Sequence, residues 1–119
     1  MDHDMAVLRA VFAYHVMREI LEADGASHPD EAVFLARREE AATLQKVGLL
    51  DAEGRVLDGF AAARDQALRE LPGRLSYREK LSLMALFADA SLSDGHLHHA
   101  ESRRMVQAAE TLGLPGTSW

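Results

Sequence analysis

The spacing Asp-Gly-x2-His-x2-Glu occurs twice in this chain, as Asp24, Gly25, His28 and Glu31 and again as Asp94, Gly95, His98 and Glu101, at a constant offset of 70. Each copy follows a run of helical periodicity. In the first run Val7, Val11, Tyr14, Met17 and Leu21 recur at helical spacing. Leu8, Phe12, Val16 and Ile20 widen that stripe until the helix over about 4–23 is apolar around much of its girth. The offset extends past the motif: Val11 aligns with Leu81, Tyr14 with Met84, Met17 with Phe87, Leu35 with Met105 and Glu19 with Asp89. This pattern predicts one helical hairpin built twice. The copies are expected to pack about an approximate two-fold axis and bury one shared core, because neither covers its apolar face alone.

Local signals place the remaining elements. Asp24-Gly25 closes the first helix, since glycine tolerates the left-handed conformation that ends many helices. Pro29 suits a first helical position, and Asp30 and Glu31 complement the positive end of the dipole. A second helix is therefore expected from 29 through Val33, Ala36, Glu40, Leu44 and Val47 to a stop near Gly48. The segment GLLDAEGRVLDG, 48–59, predicts a loop or tight turn, with a two-strand hairpin as the alternative. A third helix over about 60–71 ends at Pro72-Gly73. Ser76 and Glu79 form a capping-box pattern for a fourth helix, which holds Leu81, Met84, Leu86 and Phe87 and reaches about Ser91. The last helix runs from His98 through Met105, Val106, Ala109 and Leu112 to Gly113, with Pro115 beyond it. The expectation is a single all-α domain over 1–119, a compact bundle of about five helices with two pseudo-repeated helix-DG-helix corners, in halves of about 4–47 and 76–113.

Composition narrows the function classes. At 48% hydrophobic and 27% charged residues the chain has ordinary globular composition, rich in Leu and Ala. A formal charge of -6 argues against sequence-independent nucleic-acid binding, which depends on Lys and Arg neutralising phosphates. Without cysteine there is neither a disulfide nor a thiolate metal site. No apolar run approaches the roughly 20 residues of a membrane span, and the acidic start MDHDMAVLRA is unlike a secretory signal, so a cytoplasmic location without membrane insertion is expected.

The repeated corner admits two readings. As structure, Asp-Gly is turn chemistry, and a Glu three residues after an N-cap can bond back to the cap's own amide. That account leaves His28 and His98 unexplained, because histidine is not a preferred cap. As chemistry, His28 with Glu31 and His98 with Glu101 share a helix face three residues apart, and Asp24 and Asp94 close the same corners. Imidazole and carboxylate ligands without sulfur suit a divalent ion such as zinc, manganese or iron. Asp24, His28, Glu31, Asp94, His98 and Glu101 are thus the candidate metal ligands, with the ion's identity open. An EF-hand register fits Gly95 to Glu101 and Gly25 to Glu31, but its first and third ligand positions fall on Ala90 and Leu92, and on Ile20 and Glu22. Glu-x-x-His di-iron helices carry the reverse order. His96 and His99 are expected to face solvent, Glu39-Glu40 to be a solvated face, and His15 to be a core-edge histidine satisfied by a neighbour. No nucleophile elbow, phosphate loop or dinucleotide glycine pattern occurs, so catalysis is not expected.

The Asp-Gly-x5-Glu corner after an alanine-rich helix, in LMALFADASLSDGHLHHAESRRMVQAAETLGL and in HVMREILEADGASHPDEAVFLARREEA, resembles the tellurite-resistance TerB-like family of small all-helical bacterial domains. The resemblance covers about 80–114 and 14–42. It implies a compact helical bundle with an acidic surface, linked to metal-oxyanion and stress responses, that binds divalent metal through acidic residues. Those positions fall on Asp24, Glu31, Asp94 and Glu101. His28 and His98 do not belong to the family pattern, and acidic residues around the corners are fewer than the family carries. A related domain serves as a module of a membrane-anchored DnaJ-like co-chaperone, acting through protein contacts. The expected function is accordingly a non-enzymatic, stress-associated metal-binding or scaffold domain. The alternative is a protein-interaction or self-association module with purely structural corners, and a small metal-dependent hydrolase comes third.

Overall fold

Asp4 opens the first helix, α1 (Met5–Leu21): its Oδ1 accepts the Val7 amide at 2.9 Å and its carbonyl accepts the Leu8 amide at 3.0 Å. A carboxylate there satisfies a donor that the helix start leaves open, at the positive end of the dipole. The computed structural model describes residues 4–21, 35, 38–91 and 99–114. Besides α1 these hold α2 (Glu39–Lys46), α3 (Phe60–Arg74), α4 (Tyr77–Ser91) and α5 (His99–Thr111). Among the described residues the fold is all-helical, and the only β pairing is one isolated antiparallel bridge.

The broad apolar stripe of α1 puts this helix at the centre, and it packs against each of the other four. Leu8, Val11, Phe12, Met17 and Ile20 are buried almost completely, joined by Tyr14 and Val16. Two edge-to-face ring pairs tie α1 outward, Phe12 to Phe87 of α4 at 6.0 Å between centroids and Tyr14 to Phe60 of α3 at 6.1 Å. Leu44, Ala63, Ala67, Leu71, Phe87, Ala109 and Leu112 complete one continuous core. No described helix is long and apolar enough to cross a membrane.

The second helix departs from expectation. Leu35 is helical and buried, but Arg38 is extended (φ -75, ψ 149), and α2 starts afresh at Glu39. Arg38 acts as the N-cap, its carbonyl accepting the Ala42 amide at 3.4 Å, while Glu39 and Glu40 lie in the first turn where the dipole favours carboxylates. Glu40 is thus not on a freely solvated face: its Oε2 lies 3.3 Å from Arg38 Nε. Gly48, at φ +81, closes α2 as expected.

The connector 47–59 is a pinned turn and not a two-strand hairpin. Leu50 pairs with Val56, and Asp51 Oδ1 accepts the Glu53 and Arg55 amides at 2.9 and 2.8 Å. The Tyr14 hydroxyl donates to the Gly54 carbonyl at 3.2 Å, fastening the tip of the turn to α1.

Pro72 does not end α3. The helix continues to Arg74, and extension begins only at Leu75 (φ -82, ψ 141). One further turn brings Leu75 into the core four residues after the fully buried Leu71, with the Leu75 amide donating to the Leu71 carbonyl at 3.0 Å. Arg74 also pairs with Glu70 at 2.8 Å. Near a helix end proline forfeits a single hydrogen bond, and these contacts outweigh that loss.

The capping box of α4 is formed: the Glu79 amide donates to Ser76 Oγ at 3.1 Å, and the Ser76 amide donates to Glu79 Oε1 at 3.0 Å. The Ser76 amide, the Ser76 hydroxyl and then Arg9 hold the Glu79 carboxyl below its ordinary 4.5. A lowered folded value means that the contribution to stability is complete above about pH 4.5 and is lost as pH falls through the folded value. Ser76→Ala is expected to cost about 0.5–2 kcal/mol in urea unfolding at neutral pH. Glu79→Gln should also destabilise the protein at neutral pH and converge with the parent towards pH 3; a constant difference across this range would deny the Glu79 carboxylate a part in the cap.

Gly113 (φ +78) lies in the turn that closes α5 beyond Thr111, with the Leu114 amide donating to the Ala109 carbonyl at 2.9 Å. Met105, Ala108 and Ala109 face inward, whereas Val106, placed by its spacing on the inner stripe, is exposed. The described parts of α1 and α4 reach Leu21 and Ser91. Tyr14 and Met84 are both buried, as are Met17 and Phe87, and Leu35 and Met105. Val11 is buried where Leu81 is half-buried.

Candidate functional site

Asp24, His28, Glu31, Asp94 and His98 lie outside the described residues, as does His96. Glu101 is in the described part of α5, with its side chain outside it. The convergence of the two corners is therefore not among the described features. Among the described residues, no three His, Asp or Glu side chains form a group suited to a metal ion.

The described polar cluster next to the core is built on α1. His15 and Glu19 stand four residues apart, hence on one helix face, and His15 Nε2 lies 2.6 Å from Glu19 Oε1. The second carboxylate oxygen of Glu19 lies 3.3 Å from Arg104 Nη1 on α5, and Arg104 Nη1 also donates to Gln107 Oε1 at 3.2 Å. Burial pushes the His15 imidazole below its ordinary range. Glu19 acts in the opposite direction, while Arg64 and then Arg18 reinforce the lowering. A neutral imidazole carrying its proton on Nε2 can donate to Glu19, which reconciles the short contact with the lowered value. The neighbour expected for His15 is thus Glu19.

Two recesses flank this pair. One, of about 190 Å³, lies between α1, α3 and α5, where Phe12, Leu68, Arg104 and Thr111 join His15 and Glu19. The other, of about 220 Å³, lies between α1, the start of α3 and the connector, and adds Arg18, Val56, Phe60, Ala61 and Arg64. A larger groove of about 390 Å³ between α1, α2 and α4 carries Ala10, Ala13 and Leu86 beside charged residues that pair with one another or nearby, Arg38 with Glu40 and Arg9 with Glu79.

Chemically, the His15 cluster offers a neutral imidazole, a carboxylate bonded on both oxygens, and guanidinium groups from three segments. Imidazole and carboxylate already bind one another, so the arrangement favours electrostatic recognition over a preformed cation cage. The i,i+4 spacing of His15 and Glu19 was a usable sequence signal. Arg64 and Arg104 arrive from α3 and α5, and no local pattern announces them. Comparison with protein-family models, with curated proteins and with solved structures returned no match.

Proposed function

We propose that this chain is a non-enzymatic helical domain of the tellurite-resistance TerB-like kind, acting in the cytoplasm in a stress response and holding a divalent cation at its two Asp-Gly corners. Asp24, His28, Glu31, Asp94, His98 and Glu101 are the ligands in this reading. Its main support is the sequence, in which both motifs follow an apolar helical run at one offset of 70, together with the burial of the aligned pairs Tyr14 and Met84, and Met17 and Phe87. Imidazole and carboxylate donors favour zinc, manganese or iron.

Calorimetry and thermal melting with zinc, manganese and calcium, on the parent protein and on Asp24→Ala/Asp94→Ala, test it. An ion that binds only the native state stabilises it by about 2.7 kcal/mol at 100 times its Kd, so stoichiometric heat and a raised Tm are expected for the parent alone. No heat and an unchanged Tm would dismiss the metal reading. The second reading, a protein-interaction or self-association module, draws support from Val47, Val56 and Leu57, three exposed aliphatic residues carried on one connector. Sedimentation equilibrium that shows a dimer in the parent and a monomer in Val56→Ser/Leu57→Ser would favour it.

A further inference from the structure

The His15 imidazole and the Glu19 carboxylate stand in the wall common to both flanking recesses, between α3 and α5. With its side chain 24% exposed, His15 is open to solvent protons but largely cut off from the water that would hydrate a charge. Among the described residues the charged groups that face it are Arg18 and Glu19 on α1, Arg64 on α3 and, through Glu19, Arg104 on α5. Arg64 is ion-paired with Asp65 at 3.6 Å and Arg18 has an interaction of its own, yet both oppose a positive charge at His15. The one carboxylate in this set is shared: Glu19 Oε1 bonds His15 Nε2 at 2.6 Å, and Glu19 Oε2 lies 3.3 Å from Arg104 Nη1. Among the described residues, Glu19 with Arg104 is the only ion pair that joins α1 to α5. α5 packs mainly on α1 and α4, and its described inward face is Met105, Ala108, Ala109 and Leu112. Two of these four are alanines, so opening this helix alone costs less than unfolding the bundle around α1.

We propose that His15 is a proton-operated release for α5: a proton on its imidazole draws Glu19 away from Arg104 and frees the last described helix from α1 while the rest of the bundle stays folded. Protonation turns the Nε2–H bond to Glu19 into a charge-assisted one, so the carboxylate holds the imidazolium more strongly and Arg104 less. It also places a cation beside Arg18 and Arg64 in a site shielded from water. When α5 lifts away, the side of His15 that lines the recess between α1, α3 and α5 opens to solvent, and the imidazolium is hydrated there. The proton therefore favours the opened form. Burial, ahead of the two arginines, lowers His15 from its ordinary 6.5 despite Glu19. A lowered value in the closed state means that closure is fully favoured above about pH 6.5 and loses ground as pH falls towards the folded value. This release needs nothing from the Asp-Gly corners.

Amide hydrogen exchange of the full chain by NMR, between about pH 7.5 and pH 5 and corrected for the intrinsic pH dependence of exchange, tests the release. The expected result is a several-fold loss of protection at Ala109 and Leu112 of α5 at the acid end, with Met84 of α4 and Ala67 of α3 unchanged. His15→Gln keeps a neutral donor for Glu19 but cannot take the proton, and should abolish the pH dependence at α5; circular dichroism verifies that each variant folds. The His15 ring signals of the parent should titrate with a midpoint below 6.5, and Glu19→Gln should lower that midpoint further by removing the charge that favours the imidazolium. Protection of α5 that is independent of pH, or the same pH dependence in His15→Gln and the parent, overturns the release. Equal loss at Met84 and Ala109 overturns it as well, because His15 would then report on the stability of the whole bundle.

Discussion

Phe12→Ala is expected to lower stability by about 3–5 kcal/mol, the usual cost of deleting a buried aromatic ring. The ring is 1% exposed and meets Phe87 edge-on at 6.0 Å, in the contact between α1 and α4. Since a domain's whole stability is about 5–15 kcal/mol, the variant should lose roughly 10–20 °C in Tm by circular dichroism, or fail to fold at ambient temperature. Phe87→Ala should behave alike, and the double variant should cost less than the sum, because the ring pair contributes about 0.5–1.5 kcal/mol beyond its buried area and is lost only once. Val106→Ala, exposed on α5, should stay within about 0.5 kcal/mol of the parent. Similar costs at positions 12 and 106 would mean that α1 is not the centre of the core.

Ala63→Leu is expected to cost about 1–3 kcal/mol by overpacking. Ala63 and Ala67 are fully buried on α3, one turn apart, in the core shared with α1, and such small side chains let two helices approach closely. Three added carbons must displace fixed neighbours or push the helices apart. Ala62→Leu, one residue away and exposed, should be neutral within about 0.5 kcal/mol, or slightly stabilising through helix propensity. Urea unfolding of the two variants separates packing from propensity. Equal midpoints would show that the spacing of α1 and α3 is not set by these alanines.

Where the sequence was read correctly, the deciding forces were local. The wide apolar stripe of α1, the capping box at Ser76 and Glu79, and the glycine closures at Gly48 and Gly113 each depend on residues within a turn or two of one another. Where it misled, distant contacts decided. Pro72-Gly73 is a strong local stop, yet α3 runs past it because Leu71 and Leu75 both enter a core made by other segments. The break at Arg38 falls inside an unbroken helical pattern, and an extended backbone at that residue has no signature in residue type alone. Val106 has inward spacing next to Met105, but the described core takes only Met105.

The same division holds for function. The repeated Asp-Gly corners are conspicuous as text, and they fall outside the described residues. The cluster around His15 was legible only in its first members, the His15–Glu19 pair, because Arg64 and Arg104 come from other helices and acquire meaning through packing.

The central position of α1 also bears on how the molecule is made. This helix is synthesised before the four it touches, and its partners on α5 arrive some 80 residues later. Until then its greasy surface has no permanent cover, so the growing polypeptide depends on transient shelter, and lasting closure waits for the final rod. Nascent chains halted ahead of α5 should be the species that aggregate or recruit a holdase, even though four of the five described rods are already present.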